Sequence, residues 1–143
     1  MARLFLLLIA ASFLINFLQT RGEDAIIGEW YNTEKDGKIE IFKEGDQYHG
    51  KLVWLQEPEE DGQPKRDKNN AGLSKRDRPL KGLRLLEDFE YHGGAWEDGT
   101  IYDPKNGKTY SSTIKLKNDD VLEVRGYIGI SLIGRTVEWT RAK

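Results

Sequence analysis

Trp96-Glu97-Asp98-Gly99-Thr100-Ile101-Tyr102-Asp103-Pro104-Lys105-Asn106-Gly107-Lys108-Thr109-Tyr110-Ser111-Ser112-Thr113-Ile114-Lys115-Leu116 is the stretch that decides the fold. Two β-rich runs flank one tight connection. Pro104 pre-sets φ for the second residue of a turn opening at Asp103, and Asn106-Gly107 tolerates the positive φ that brings the chain back on itself. The second arm alternates. Tyr110, Ser112, Ile114 and Leu116 face one way, while Thr109, Ser111, Thr113, Lys115 and Lys117 face the other. A strand with one apolar and one polar face belongs to a sheet with one dry side.

The same rhythm extends in both directions. Ile26 to Tyr31 reads as a first strand, Asp36-Gly37 as a hairpin turn, and 38–43 as a strand in which Phe42 falls out of phase with Ile39 and Ile41. After Glu44-Gly45-Asp46, residues 47–55 alternate again. Tyr48, Gly50, Leu52 and Trp54 are expected on the inner face, and His49, Lys51, Val53 and Leu55 on the outer. Residues 82–86 and 89–91 read as two short strands around a bend at Asp88. Gly93-Gly94 leads into the central hairpin, Asn118-Asp119-Asp120 turns into 121–128, and the last strand spans 135–141. No helical period appears after residue 22. Short strands joined by short sequential turns predict an all-β, up-and-down antiparallel barrel of about eight to ten strands, which also removes exposed sheet edges.

Two segments depart from this rhythm. Leu4 to Leu18 is apolar except for Ser12 and Asn16 and follows Arg3, a length that suits a secretory signal better than a membrane span. Residues 1–22 are therefore expected to be removed on export to the periplasm or medium, leaving residues 23–143 as one domain without stable membrane insertion. Losing Arg3 and Arg21 takes the formal charge from −2 to −4, which argues against nucleic acid as a partner. With no cysteine, the fold closes without disulfides or thiolate metal ligands. The second segment, 56–81, is long and polar and carries Pro58, Pro64 and Pro79. Its acids come first and its bases after, and it reads as a solvated loop guarding a sheet edge or as an anion-contacting flap.

Gly28-Glu29-Trp30, Gly50-Lys51-Leu52-Val53-Trp54-Leu55 and Arg78-Pro79-Leu80-Lys81-Gly82-Leu83, followed by 96–110, 125–129 and 134–141, closely resemble the bacterial family of domain of unknown function 2147. The resemblance implies a lipocalin-like barrel of the calycin group and, with it, a small hydrophobic or amphipathic ligand of fatty-acyl type; it implies no reaction. It also implies a structural seal, in which Gly28 and Trp30 of the first strand pack beneath Arg135 or Arg141 of the last. The chain carries Asn69-Asn70 where the family often has Asn-Pro, and its long loop follows the third strand rather than the first.

Inward candidates for a ligand site are Tyr48, Leu52, Trp54, Tyr110, Ile114, Leu122 and Val124, with Ile41 beside them. The same residues serve equally as a packed core, in which case the barrel acts on envelope partners through its basic loop. An enzyme is the least supported reading. No serine occupies a nucleophile elbow, and no cofactor or metal is expected. Asp67, Asn69 and Gly72 match the start of a calcium loop, but Arg78 stands where its bidentate Glu belongs. His49 is read as an outward strand residue and His92 as a turn residue. Residues 128–134, with Ile128, Ile130, Leu132 and Ile133, are more apolar than a turn requires and read either as a lid on one barrel end or as a hydrophobic lip.

Overall fold

The computed structural model describes residues 22–130 and 132–143; the segment read as a signal lies almost wholly outside them. The chain forms a closed antiparallel barrel of eight strands: β1 (Gly28–Tyr31), β2 (Gly37–Glu44), β3 (Gln47–Leu55), β6 (Arg84–His92), β7 (Ala95–Asp103), β8 (Lys108–Asn118), β9 (Val121–Tyr127) and β10 (Gly134–Arg141). Each strand pairs with its predecessor in the chain, except that β3 pairs with β6 across the long loop and β1 closes the ring on β10. Inside that loop lie a two-stranded ribbon, β4 (Glu59–Glu60) and β5 (Gln63–Pro64), and a 3-10 turn at Leu73–Lys75. Among the described residues, no helix is long and apolar enough to cross a membrane.

The central hairpin forms as its sequence requires. The Asp103 carboxylate accepts from the Lys105 N–H, its carbonyl accepts from Gly107 N–H at 2.8 Å, and Gly107 has φ +72°. The two ends of the barrel differ. At one end the connections are Gly45-Asp46, Gly93-Gly94 and Asn118-side Asp119-Asp120, each two residues long. A 3-10 helix, Glu23–Ile26, plugs this end, with Ile26 completely buried. Three side chains fix the plug through its backbone: Trp30 Nε1–H donates to Ile26 O (2.9 Å), Trp96 Nε1–H to Glu23 O (3.0 Å) and Arg141 to Ala25 O (2.9 Å). Tyr48 Oη–H also donates to the Asp24 carboxylate at 2.6 Å. Burial, then the bond to Asp24, pushes the Tyr48 hydroxyl up to about 12. Ile26 thus belongs to the plug and not to the first strand.

The Arg141 guanidinium lies 4.2 Å from the centre of the Trp30 ring, and its Nη1 is 3.1 Å from where a Gly28 side chain would begin. A side chain at 28 would crowd this cation, and the backbone there, at φ +137°, strains any residue but glycine. Arg135, the other arginine considered for this seal, lies at the opposite end of β10 and takes no part in it.

Two further readings need correction, and a third, that of His49 as an outward strand residue, holds with an addition. First, Trp54 points outward, 37% exposed, because the pairing shifts between Lys38 and Ile39: Lys38 opposes Trp54 while Ile39 opposes Leu52. The extra residue reverses the alternation and turns Leu55 inward. Outside, Trp54 meets Tyr31 edge-on at 6.1 Å, with the Lys38 ammonium over both rings. Second, residues 84–92 are one strand; Asp88, at φ +64°, kinks it without ending it. Third, His49 is only 5% exposed, because Phe42 and the Asp88 kink cover it on the barrel exterior and Asp88 N–H donates to its Nδ1 at 3.2 Å. This outer cluster explains the phase break at Phe42, over which Lys51 and Arg84 also lie.

Truncating the seal should destabilise the barrel. Trp30→Ala is expected to lower the unfolding free energy by about 3–5 kcal/mol and Arg141→Ala by about 1–3 kcal/mol, read from guanidinium melts. An unchanged midpoint for Trp30→Ala would show that the plug is held by something else.

Candidate functional site

The barrel is solid in one half and hollow in the other. Towards the plug, Tyr48, Phe89, Trp96, Ile114 and Leu122 are fully or almost fully buried against Ile26 and Trp30. Gly50 and Gly99 lie so close to Leu86 and to the Phe89 ring that a side chain at either would collide with them. Of the seven expected ligand contacts, Tyr48, Ile114 and Leu122 are therefore core and lie outside the cavity lining, and Trp54 lies outside the barrel. Leu52, Tyr110 and Val124 line the cavity.

This cavity occupies the other half, with a volume of about 760 Å³, and opens at the end where the long connections gather. Its deep wall is apolar: Ile39, Leu52, Leu85, Val124 and Trp139 are each at most 8% exposed. Leu55, Ile101 and Val137 continue this surface upward. Protein pockets for small organic ligands fall between roughly 300 and 1,000 Å³ and combine such walls with a few convergent polar groups.

The polar groups collect at the mouth. Tyr110 Oη accepts from Asn106 Nδ2 at 2.9 Å, leaving its own proton for another acceptor. Lys105 bridges Glu34 and Asp36, tying the β7–β8 turn to the β1–β2 turn across the opening. Lys68 pairs with Glu60, Lys65 with Glu57 and Arg66 with Asp77. Arg135 is different. Strand alternation aims it inward with Val137 and Trp139, it lines the mouth, and among the described residues it has no carboxylate partner. The sequence alone left Arg135 and Arg141 as alternatives for the seal and did not point to a role for Arg135 at the mouth. The signal was available: residues 135, 137, 139 and 141 share a face, so one of the two arginines has to sit at each end.

The 56–81 loop is anchored at the mouth through buried polar contacts. Asp67 is completely inaccessible to solvent. Its carboxylate accepts from Tyr102 Oη (2.5 Å), Asn70 Nδ2 (2.9 Å) and Arg78 Nε (2.9 Å). Asn69 donates to Pro104 O and Lys105 O, and its carbonyl packs directly on Gly107, where a side chain has no room. Arg66 and Pro79 form a single antiparallel bridge. The residues that resembled a calcium loop are thus a latch, with Asn69 bonded to backbone and Asp67 to donors.

One further cluster lies outside the cavity. His92 is within 3.4 Å of Glu90 and 3.6 Å of Asp98 at the β6–β7 turn. Asp98 joins from the facing strand, which spacing does not reveal, and all three side chains are half-buried or exposed, as pairing charges on a hairpin commonly are.

A family model described as an uncharacterized protein conserved in bacteria (DUF2147) matches residues 28–141, from the first barrel residue to the last. The chain belongs to this family. Curated proteins give no match in sequence. Among solved structures, a protein of Helicobacter pylori, HP1028, described as belonging to the lipocalin family, is similar at a TM-score of 0.71 and 24% identity, covering 82% of this chain and 83% of its own. The DUF2147 barrel is thus lipocalin-like in fold.

Asp67 governs how this DUF2147 loop responds to acid. Burial alone would raise its carboxyl, but the bonds from Tyr102, Asn70 and Arg78, with the Arg78 charge, outweigh burial and hold it below the ordinary 3.8. A lowered folded-state value means that its contribution is complete above the unfolded-state value and disappears as pH falls through the folded one. Asp67→Ala should cost about 1–3 kcal/mol, the cost of leaving the buried Asn70 amide and the Tyr102 hydroxyl without their acceptor, and should raise amide exchange across residues 65–80. In Asp67→Asn the loop's acid dependence below pH 4 should vanish. Equal exchange in wild type and Asp67→Ala would disprove the latch.

Proposed function

We propose that this protein is an exported binding protein for a single-chain amphiphile of acyl type with an anionic head. The apolar chain occupies the hollow half of the barrel, and the head lies at the mouth beside Arg135 and the Tyr110 hydroxyl. One observation carries the reading: an open apolar cavity of about 760 Å³ whose rim holds one inward arginine that, among the described residues, has no acidic partner, while Lys65, Arg66, Lys68 and Lys105 are paired. A guanidinium so placed forms paired, charge-assisted bonds with a carboxylate or phosphate. The alternative, a filled barrel working through the basic loop, has less support, since Lys65, Arg66, Lys68 and Arg78 are each occupied by a carboxylate. Export accords with the apolar run 4–18 that follows Arg3.

Native mass spectrometry of protein purified from its own host should reveal a retained amphiphile. Titration with long-chain fatty acid should change the emission of Trp139, at the cavity wall, and Trp139→Phe should abolish that change. Val124→Trp fills the cavity and should weaken binding at least ten-fold, whereas Arg135→Ala should weaken acids about ten-fold, or 1.4 kcal/mol, and leave the corresponding alcohols unaffected. If Val124→Trp binds as wild type does, the cavity is not the site.

A further inference from the structure

We propose that the β9–β10 loop is a membrane-docking lip that presents the cavity mouth to a bilayer surface carrying anionic lipid. Ile128, Ile130, Leu132 and Ile133 are 70%, 60%, 86% and 70% exposed, and they make up four of the seven large hydrophobic residues exposed among those described. They do not close the barrel, as a lid would. Instead they project from it on a compact turn in which Ile133 N–H donates to Ile130 O at 3.1 Å and Gly129 takes φ +78°.

The loop's position and flanking charge identify what covers it. It is rooted in the cavity wall, since Gly126 at the end of β9 and Arg135 at the start of β10 both line the mouth and oppose one another in the sheet. From Val124 to Val137 there is no carboxylate, and the two charges, Arg125 and Arg135, are cations at the two roots of the loop. Arg125 also bonds Thr136 across those roots. Tyr127 stands beside them. An aliphatic tip above a collar of arginine and tyrosine is the arrangement that bilayer interfaces select: the tip enters the acyl region, the phenol rests at headgroup level, and the cations meet lipid phosphates. The shape agrees. A convex tip needs a complementary hollow in a protein partner, whereas a fluid bilayer supplies one anywhere.

The absence of native cysteine makes a local test direct. Single variants Ile130→Cys and, at the plugged end, Asp46→Cys are labelled with an environment-sensitive fluorophore in the intact chain. They are then mixed with vesicles of phosphatidylcholine containing or lacking phosphatidylglycerol, some doped with a quencher-bearing acyl chain. Position 130 is expected to shift to the blue and be quenched, at least five-fold more with phosphatidylglycerol, while position 46 stays unchanged. Adding Leu132→Asp and Ile133→Asp to the Ile130→Cys chain should abolish the response. Their folding is verified by an unchanged melt, and neither position lines the cavity. No response at 130, an equal response at 46, or a blue shift that follows protein concentration without lipid, indicating a second copy, would each overturn the proposal. None of these outcomes depends on whether the cavity holds a ligand, so the lip and the carrier reading can fail separately.

Discussion

The barrel depends on the arginine that lies across Trp30. Arg141 stacks its guanidinium on the indole and donates to the carbonyls of Ala25, Ile27 and Asp119, so one side chain from the last strand holds the first strand, the plug and the β8–β9 turn. An eight-strand barrel leaves two open ends, and each would expose apolar interior and unpaired backbone to water. Here one end is capped by four residues of 3-10 helix whose carbonyls meet indole and guanidinium donors. Beyond its own local backbone bonds, the cap is held by Trp30, Tyr48, Trp96 and Arg141, so it depends on the barrel strands that supply them.

With one end sealed, the position of the hollow follows. Large rings, Tyr48, Phe89 and Trp96, fill the sealed half, and Gly50 and Gly99 make space for their neighbours to interlock. Above them Ile39, Leu52, Leu85, Val124 and Val137 dominate the inward face, with Trp139 the one large ring in the deep wall, and the side chains leave the bore unfilled. The mouth is kept in shape by electrostatics instead of packing: the Lys105 bridge, and the buried Asp67 that holds the long loop against Tyr102. On the proposed carrier reading, a rigid rim with space beneath it leaves little ordering cost when a guest enters.

The closed antiparallel topology was legible because binary alternation and turn chemistry agree along nearly the whole chain, and family resemblance added the seal. Phase was less legible. A single extra residue near Val53 moved Trp54 to the exterior and Leu55 to the interior, and periodicity by itself cannot locate a bulge. Asp67 was hidden for another reason: a charged residue in a charged loop reads as solvated, and only the distant Tyr102 and Arg78 make its burial tolerable. Which inward residues border empty space is a question of volume, and volume is not a property of any one strand.

Finally, β1 and β10 are neighbours in the sheet although nearly the entire domain separates them in sequence. A ribosome delivers β1 first among the barrel strands and β10 last. Until then the growing polypeptide has an unpaired edge on each side and nothing to cover its bore. Closure of the ring therefore waits for its last strand. Such a chain gains from any factor that keeps it extended until β10 has emerged, and it pays for early collapse with mispaired ribbons.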